Sequence, residues 1–220
     1  MRTRLKVCCI SSVDEAALAV RCGADALGLV AAMPSGPGPI ADELIREIAG
    51  RAPPGVATFL LTCRTDPEGI MAHVLGAGVN TVQLMDEVPD AAYAALRRHA
   101  PAVRIVQVLH VQEEDVVAQA GRVENQVDAI LLDSGRPGAA VKELGGTGRT
   151  HNWNLSARVV KGVSCPVFLA GGLRPANVEE AIRSVGPFGI DLCSGVRTAG
   201  RLNEGKLLDL VAAIGRADGY

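Results

Sequence analysis

The sequence predicts a (β/α)8 TIM barrel, and three observations lead to that fold class. Short apolar runs rich in β-branched residues alternate with amphipathic helical patterns along the whole chain. Eight such pairs follow one another without a break in composition, and the 220 residues fit a barrel, which needs roughly 200 or more. We therefore expect a single domain over residues 1–220. A doubly wound open sheet is the alternative, but Cys8–Ser12 lacks the Gly-rich fingerprint that usually follows its first strand.

The apolar runs are near-continuous, which is typical of parallel strands covered by helices on both faces. The strands are expected at Leu5–Ile10, Ala26–Ala31, Val56–Leu61, Val79–Leu84, Val103–Val111, Val127–Leu132, Val167–Ala170 and Phe188–Cys193. The helices are expected at Ser12–Gly23, Asp42–Ala49, Asp66–Leu75, Pro89–His99, Glu113–Gly121, Asn154–Val160, Pro175–Val185 and Leu202–Ile214.

Local signals mark several helix boundaries. Ser12 and Glu15 have the spacing of a capping box, in which the two side chains satisfy backbone N–H groups of the first turn. Gly23 can adopt the left-handed conformation that ends a helix. Pro89 and Pro175 are placed to open helices, because the first helical residue needs no N–H donor.

Composition excludes several classes of function. The net charge is −2, and Lys and Arg occur singly or in pairs, so no basic patch predicts a nucleic-acid partner. No run of eighteen apolar residues is present, and the apolar run near the N-terminus is too short for a signal peptide. We therefore expect a cytoplasmic protein with no membrane partner.

The six cysteines form no CxxC pair, so buried free thiols are expected rather than a metal site. Cys8 and Cys9 are adjacent in a predicted strand, where their side chains would point to opposite faces. Such a pair cannot hold one metal ion together.

In a barrel of this class, the active site lies where the strands end and the following loops begin. Asp133 stands at the end of the sixth strand, ahead of the Gly-rich loop Ser134–Trp153, and is the strongest acid candidate. A helix cap or an ion pair with Arg136 is the alternative reading of this carboxylate. Cys8 ends the first strand and is a candidate nucleophile or base, if Lys6 or a helix end favours its thiolate; inert core packing is the alternative.

Two small-residue turns follow the seventh and eighth strands directly. Gly171–Gly172 and Ser194–Gly195 would let backbone N–H groups approach an anion closely. Barrels frequently bind phosphate with these two loops, so a phosphorylated small molecule is the expected ligand. Tight turns without a ligand are the alternative.

The chain resembles the phosphoribosylanthranilate isomerase family along nearly its whole length. The matching segments are Lys6–Cys8, Cys22–Gly28, Thr81–Leu84, Leu131–Asp133, Gly145–Trp153, Ala170–Asn177 and Asp191–Val196, in the same order and spacing. The resemblance implies a cofactor-free Amadori rearrangement of N-(5-phosphoribosyl)anthranilate in tryptophan biosynthesis. By position, it makes Cys8 the general base and Asp133 the general acid, with Gly171, Gly172, Ser194 and Gly195 as phosphate-binding residues.

The chain also departs from the family pattern. Cys9 stands where the family has Gly, Met85 where a His is usual, and Cys193 where a Ser is usual. The family's second loop carries an Arg for the anthranilate carboxylate, whereas Met33–Pro39 contains no cation. The candidate replacements on the same face are Arg64, His110, Arg136 and Arg149, with His151 as a further possibility.

Three functions therefore remain open on the sequence. The first is the isomerisation of phosphoribosylanthranilate, and the second is the same chemistry on a different N-phosphoribosyl amine. The third is a non-catalytic barrel that binds a phosphate ligand. We expect no cofactor, no metal and a monomer or homodimer.

Overall fold

A computed structural model describes residues 2–135, 138, 143–144, 148 and 150–219. Eight parallel strands form a closed barrel in the order of the chain, which confirms the predicted (β/α)8 fold. The strands are β1 Arg4–Val7, β2 Ala26–Val30, β3 Ala57–Thr62, β4 Thr81–Leu84, β5 Arg104–His110, β6 Ala129–Asp133, β7 Val167–Leu169 and β8 Gly189–Leu192.

Helices surround this barrel, one after each strand. They are α1 Val13–Arg21, α2 Asp42–Arg51, α3 Pro67–Ala77, α4 Asp90–His99, α5 Asp115–Val123, α6 Trp153–Gly162, α7 Val178–Val185 and α8 Glu204–Asp218. Within the described ranges, no helix combines the length and apolarity needed to cross a membrane.

The start of α1 shows how the sequence sets a helix boundary. Ser12 is its N-cap, and the Ser12 hydroxyl accepts a hydrogen bond from the N–H of Glu15. The Glu15 carboxylate reaches back to the N–H of Ser11 rather than to that of Ser12, so the predicted capping box is displaced by one residue at its second bond.

The predicted start of α7 at Pro175 is wrong, because the helix begins at Val178. Residues 174–177 instead form a turn in which Asn177 Oδ1 accepts from the N–H of Arg174 at 2.8 Å. The Asn177 amide also donates to the Gly172 carbonyl at 3.1 Å. These side-chain bonds satisfy the backbone in a non-helical conformation and delay the helix.

Between β8 and α8 the chain forms elements that the sequence did not predict. Ser194–Val196 is a single 3-10 turn, and β9 Arg197–Thr198 pairs with β10 Arg201–Leu202 as a short antiparallel hairpin. Two-residue strands are too short to show an alternating pattern, so hydrophobic periodicity cannot reveal them.

Side chains fill the barrel interior in layers. At the end where the strands begin, Phe168 packs edge-to-face against Phe59 at 6.0 Å and against Phe188 at 5.4 Å. Gly189 leaves room for this cluster, since a Cβ there would lie 2.7 Å from a Phe168 ring carbon. The three rings fill the barrel interior towards this end.

A buried ion pair lies at the seam where the first and last strands meet. Lys6 on β1 and Asp191 on β8 are register partners, and Lys6 Nζ lies 3.0 Å from Asp191 Oδ1. The Lys6 side chain is fully buried, and its ammonium group also lies 5.1 Å from the centre of the Phe59 ring. Burial acts to lower the pKa of Lys6, but the Asp191 carboxylate outweighs it and raises that pKa. Burial also raises the pKa of Asp191, against the attraction of the Lys6 ammonium.

We predict that Lys6→Met destabilises the protein by about 3–5 kcal/mol, because it leaves Asp191 as an uncompensated buried charge. The double variant Lys6→Met/Asp191→Leu should recover most of that loss, since it removes both charges. Urea unfolding at neutral pH measures both effects, and Lys161→Met on the exposed face of α6 is the control. If the single and double variants lose equal stability, the ion pair is not the cause.

Candidate active site

A cavity opens among the carboxyl ends of the strands and contains most of the predicted site residues. Its empty volume is about 670 Å³ when the open solvent at its mouth is included. The described residues around it are Cys8, Cys9, Val30, Met33, Ser35, Gly36, Pro37, Leu61, Gln83, Met85, Asp133, Leu144, Gly148, Ala170, Gly171, Gly172, Leu173, Asp191, Leu192, Cys193 and Ser194.

Cys8 follows β1 directly, and contacts with β8 and β2 fix its position. Its N–H donates to the Leu192 carbonyl at 2.7 Å, which continues the β1–β8 pairing by one residue. Gly28 on β2 leaves the space that the thiol occupies, because a Cβ there would lie 2.8 Å from Cys8 Sγ and 3.0 Å from Lys6 Nζ. The thiol and the Lys6 ammonium therefore flank the same point of the barrel wall.

Cys9 does not point to the opposite face from Cys8, which corrects the expectation from strand alternation. β1 ends at Val7, and Cys9 adopts a left-handed φ of 60°, so both thiols line the cavity. Hydrogen bonding to the Cys193 thiol raises the pKa of Cys9, which stays a neutral thiol. This left-handed conformation is one that glycine adopts more readily than cysteine.

An arginine behind the cavity fixes the turn that carries both cysteines. Arg197 Nη2 donates to the carbonyls of Cys8 and Cys9, and Nη1 donates to the Gly200 carbonyl at 2.9 Å. The same guanidinium contacts both carboxylate oxygens of Glu15 on α1, at 3.0 and 3.1 Å. Arg197 thus connects the backbone of Cys8, the candidate catalytic residue, to α1 and to the β9–β10 hairpin.

Asp133 ends β6, is nearly completely buried and lines the same cavity as Cys8. Its Oδ1 accepts a hydrogen bond from the N–H of Ser134 at 2.7 Å. Burial raises the pKa of Asp133 to about 6, although this N–H bond opposes the shift, and the nearby Asp191 carboxylate adds to it. A carboxyl group with this pKa is partly protonated near neutral pH, as a general acid requires.

The two predicted phosphate loops lie side by side at the cavity rim. Gly171 and Gly172 have left-handed φ values of 81° and 62°, and Ser194 opens the 3-10 turn after β8. Gly195 is packed so tightly that a Cβ would lie 2.0 Å from the Leu173 carbonyl oxygen. Gly171, Gly172 and Ser194 line the cavity, and Gly195 holds the two loops together from behind.

The predicted cationic residues are placed differently. Arg64 is exposed and does not line the cavity. His110 packs against Gly135 with Nε2 3.2 Å from the Met85 carbonyl oxygen, outside the cavity, and burial lowers its pKa. His151 is also neutral, because burial lowers its pKa to about 4. Arg136 and Arg149 lie outside the described residues.

Sequence reasoning assigned no role to two buried polar groups of this site, Gln83 and Asp191. Both occur on interior-facing positions of strands β4 and β8, and both line the cavity. The available signal was the interruption of an apolar strand by a polar residue, which is costly to bury without a partner. Among the described residues, no group of three or more His, Cys, Asp or Glu side chains is arranged to hold a metal ion.

Comparisons with known proteins agree with this arrangement. The family model described as N-(5'-phosphoribosyl)anthranilate (PRA) isomerase matches residues 5–213. The N-(5'-phosphoribosyl)anthranilate isomerase 2 of Methanosarcina mazei is 38% identical over 210 residues, covering 94% of this chain and 92% of that protein.

Solved structures give the same result. The phosphoribosyl anthranilate isomerase of Thermotoga maritima superimposes with a TM-score of 0.80 at 29% identity, covering 99% of this chain and 100% of that one. A phosphoribosyl anthranilate isomerase in complex with reduced 1-(o-carboxyphenylamino)-1-deoxyribulose 5-phosphate has a TM-score of 0.78 at 28% identity, with the same coverage.

We predict that Asp133→Asn stabilises the protein at pH 7–8 by on the order of 1–3 kcal/mol. The pKa of Asp133 is raised from an ordinary 3.8 to about 6, so its stability contribution is complete below about pH 4 and is lost as the pH rises through 6. The gain should therefore vanish near pH 4 in urea unfolding.

Asp128→Asn is the control, because the pKa of Asp128 is shifted in the opposite direction from that of Asp133. Burial acts to raise the pKa of Asp128, but hydrogen bonds from the Ile105 N–H and Arg97 outweigh it and lower that pKa. Asp128→Asn should therefore lose stability at neutral pH and lose less in acid. A destabilised Asp133→Asn variant at pH 8 would contradict the proposed burial cost.

Proposed function

This chain belongs to the N-(5'-phosphoribosyl)anthranilate isomerase family, and we propose that Cys8 and Asp133 are the base and acid of its reaction. The reaction is the Amadori rearrangement of N-(5-phosphoribosyl)anthranilate to the 1-deoxyribulose phosphate product, a step of tryptophan biosynthesis. The observation that carries the proposal is that both side chains line one cavity with the two small-residue loops.

The proposed chemistry needs only proton transfers. Asp133 protonates the ring oxygen of the sugar while the nitrogen lone pair forms a protonated Schiff base at C1, and the ring opens. The thiolate of Cys8 then removes the proton from C2, and the electron pair of that bond forms the C1–C2 double bond of an enaminol. Transfer of a proton to C1 and loss of the 2-hydroxyl proton give the aminoketose. C1 is reduced and C2 is oxidised within one molecule, so no external oxidant or reductant enters.

We assign each part of the substrate to a different region of the cavity. The phosphate is assigned to Gly171, Gly172, Ser194 and Gly195, whose backbone N–H groups would be its hydrogen-bond donors. The sugar lies between Cys8 and Asp133. The aromatic ring is assigned to the apolar wall opposite the phosphate, which consists of Val30, Met33, Leu61, Met85 and Leu144.

A different N-phosphoribosyl amine is the second candidate substrate. It is favoured by the side chains of the described cavity residues, which include no arginine or lysine to pair with the anthranilate carboxylate. Arg136 and Arg149 remain the candidates for that role. A non-catalytic phosphate-binding barrel is the third candidate, and the joint presence of Cys8 and Asp133 argues against it, since a binding protein needs neither.

We also propose a cytoplasmic location and a monomer or homodimer. The location is supported by the biosynthetic reaction of the family. The range of oligomeric states is supported by a solved Thermotoga maritima relative, which is described as a dimeric enzyme from which monomers were generated.

The first test follows the consumption of freshly made phosphoribosylanthranilate by its loss of fluorescence. We expect turnover by the unmodified protein and a loss of at least roughly a hundredfold in kcat for Cys8→Ser and for Asp133→Asn. Cys165→Ser and Asp86→Asn, which alter residues outside the cavity lining, are the matched controls. Near-normal turnover in either catalytic variant removes that residue from its role, and a folded but inactive protein favours the second substrate.

The second test concerns the phosphate site. Inorganic phosphate should compete with the substrate, and Gly172→Ala should weaken phosphate binding about tenfold or more in calorimetry, because a Cβ there distorts the backbone donors. Gly186→Ala is the control, since Gly186 has a similar left-handed φ of 66° and ends α7 away from the cavity. Equal phosphate affinity in both variants would count against this site.

A further inference from the structure

One side chain in the cavity wall has a buried hydrogen-bond acceptor without a partner. Gln83 on β4 is 1% exposed, lines the cavity, and its Oε1 accepts no hydrogen bond from any residue that the structure describes. An unpaired buried amide oxygen costs about 1–3 kcal/mol, so its presence in a folded protein needs an explanation.

The amide is held in a defined orientation by its neighbour two residues along the strand. Gln83 Nε2 donates to Met85 Sδ at 3.1 Å. The reverse orientation would place the amide oxygen against the sulfur, which is also an acceptor, and would leave the NH₂ group unpaired instead. Met85 therefore keeps the Gln83 oxygen as the group that needs a donor.

The adjacent strand provides a direct contrast. Gln107 on β5 is 2% exposed, yet its Oε1 accepts from the Tyr93 hydroxyl at 2.7 Å. Its Nε2, which has two hydrogens to donate, lies within hydrogen-bond distance of three carbonyl oxygens, those of Leu84, Asp86 and Val108. Gln107, which lies outside the cavity, thus has partners for both polar atoms of its amide. Gln83, which faces the cavity, has an unpaired oxygen.

The position of Gln83 indicates which part of a ligand it meets. β4 lies across the closed barrel from β8, whose loop is assigned to the phosphate. Around Gln83 the wall is apolar, formed by Leu61 and Met85 together with Val30 and Met33 of the second strand and its loop. The end of the substrate that carries the aglycone should therefore reach Gln83, and the donor there is the nitrogen that joins the aglycone to the sugar.

We propose that Gln83 Oε1 accepts a hydrogen bond from the N–H group that links the aglycone to the phosphoribosyl sugar. This proposal rests on the proposed function and assigns the contact that holds the reacting nitrogen. The nitrogen becomes positively charged when the ring opens to the protonated Schiff base, and a hydrogen bond strengthens when its donor is charged. The contact is therefore stronger in the ring-opened intermediate than in the bound substrate, which favours catalysis as well as binding.

The test is Gln83→Leu, with Gln83→Met as a second variant of similar shape and Gln107→Leu as the matched control. We expect Gln83→Leu to lower kcat/KM about tenfold to a hundredfold while its unfolding midpoint stays equal or rises, because an unpaired acceptor has been removed. Gln107→Leu should show the reverse, a lower midpoint from the lost hydrogen bonds of its amide with a smaller effect on turnover.

Binding measurements separate this contact from a general loss of the site. The reduced product 1-(o-carboxyphenylamino)-1-deoxyribulose 5-phosphate retains the N–H, and its affinity should fall about tenfold in Gln83→Leu. Ribose 5-phosphate lacks the amine, and its affinity should stay within about twofold of the unmodified protein. An equal loss for both ligands, or no loss for the reduced product, overturns the proposal.

The outcomes also separate this proposal from the proposed function. If the unmodified protein shows no turnover, the proposed function is wrong. If the unmodified protein is active and the Gln83→Leu and Gln83→Met variants keep a normal kcat/KM, only the role proposed for Gln83 is wrong. If Gln83→Leu fails to fold, Gln83→Met carries the test alone, because it replaces the amide with a side chain of nearly the same length.

Discussion

The Lys6–Asp191 ion pair is the interaction on which both the barrel and its cavity depend. It joins the first and last strands at their seam, so the same contact that closes the barrel also places a charge pair beneath the ligand space. Its ammonium flanks the thiol of Cys8 across Gly28, and its two charges act in opposite directions on the pKa of Asp133, which Asp191 raises and Lys6 lowers. Replacing such a pair by apolar residues is often neutral for stability, so stability alone does not explain a charge pair at this position beneath the cavity.

Several unfavourable features of this fold lie at the cavity. Among the described residues, Asp133 is buried without a cation that pairs with it directly, Gln83 has an unpaired acceptor, and Cys9 adopts a backbone conformation that side chains usually avoid. The layer between strands and helices is mainly apolar and Gln107 is paired within it, although the Trp153 indole N–H is buried there without a partner among the described residues. Stability is therefore supplied mainly by this layer and by the three phenylalanines of the barrel interior, and part of it offsets the cost of the polar groups in the cavity.

The sequence predicts the architecture well because repeating patterns encode it. Eight alternating apolar and amphipathic segments indicate the barrel, and the position of Asp133 and Cys8 at strand ends indicates the active-site face. Features that depend on non-repeating contacts were not predictable in this way. The shift of α7 to Val178 depends on the side chain of Asn177, and the unpaired oxygen of Gln83 is visible only once every neighbour in space is known. Adjacent residues on a strand should diverge, yet Cys8 and Cys9 share the cavity because the strand ends one residue before them.

Cys9 and the cation-free segment Met33–Pro39 are in physical contact. Cys9 Sγ lies 3.5 Å from the Pro37 carbonyl oxygen, and a Cβ at position 38 would lie 2.5 Å from Cys9 Cβ. A side chain at residue 9 therefore requires a glycine at residue 38, and the left-handed φ of 88° at Gly38 fits the same requirement. The loop is further anchored where the Ile40 N–H donates to the Val30 carbonyl at 2.9 Å. Because the loop packs on Cys9, a side chain larger than hydrogen at position 38 would collide with residue 9. Cys9 and the Pro-Gly-rich loop are thus a structurally coupled unit at the cavity, and a substitution in one of them constrains the other.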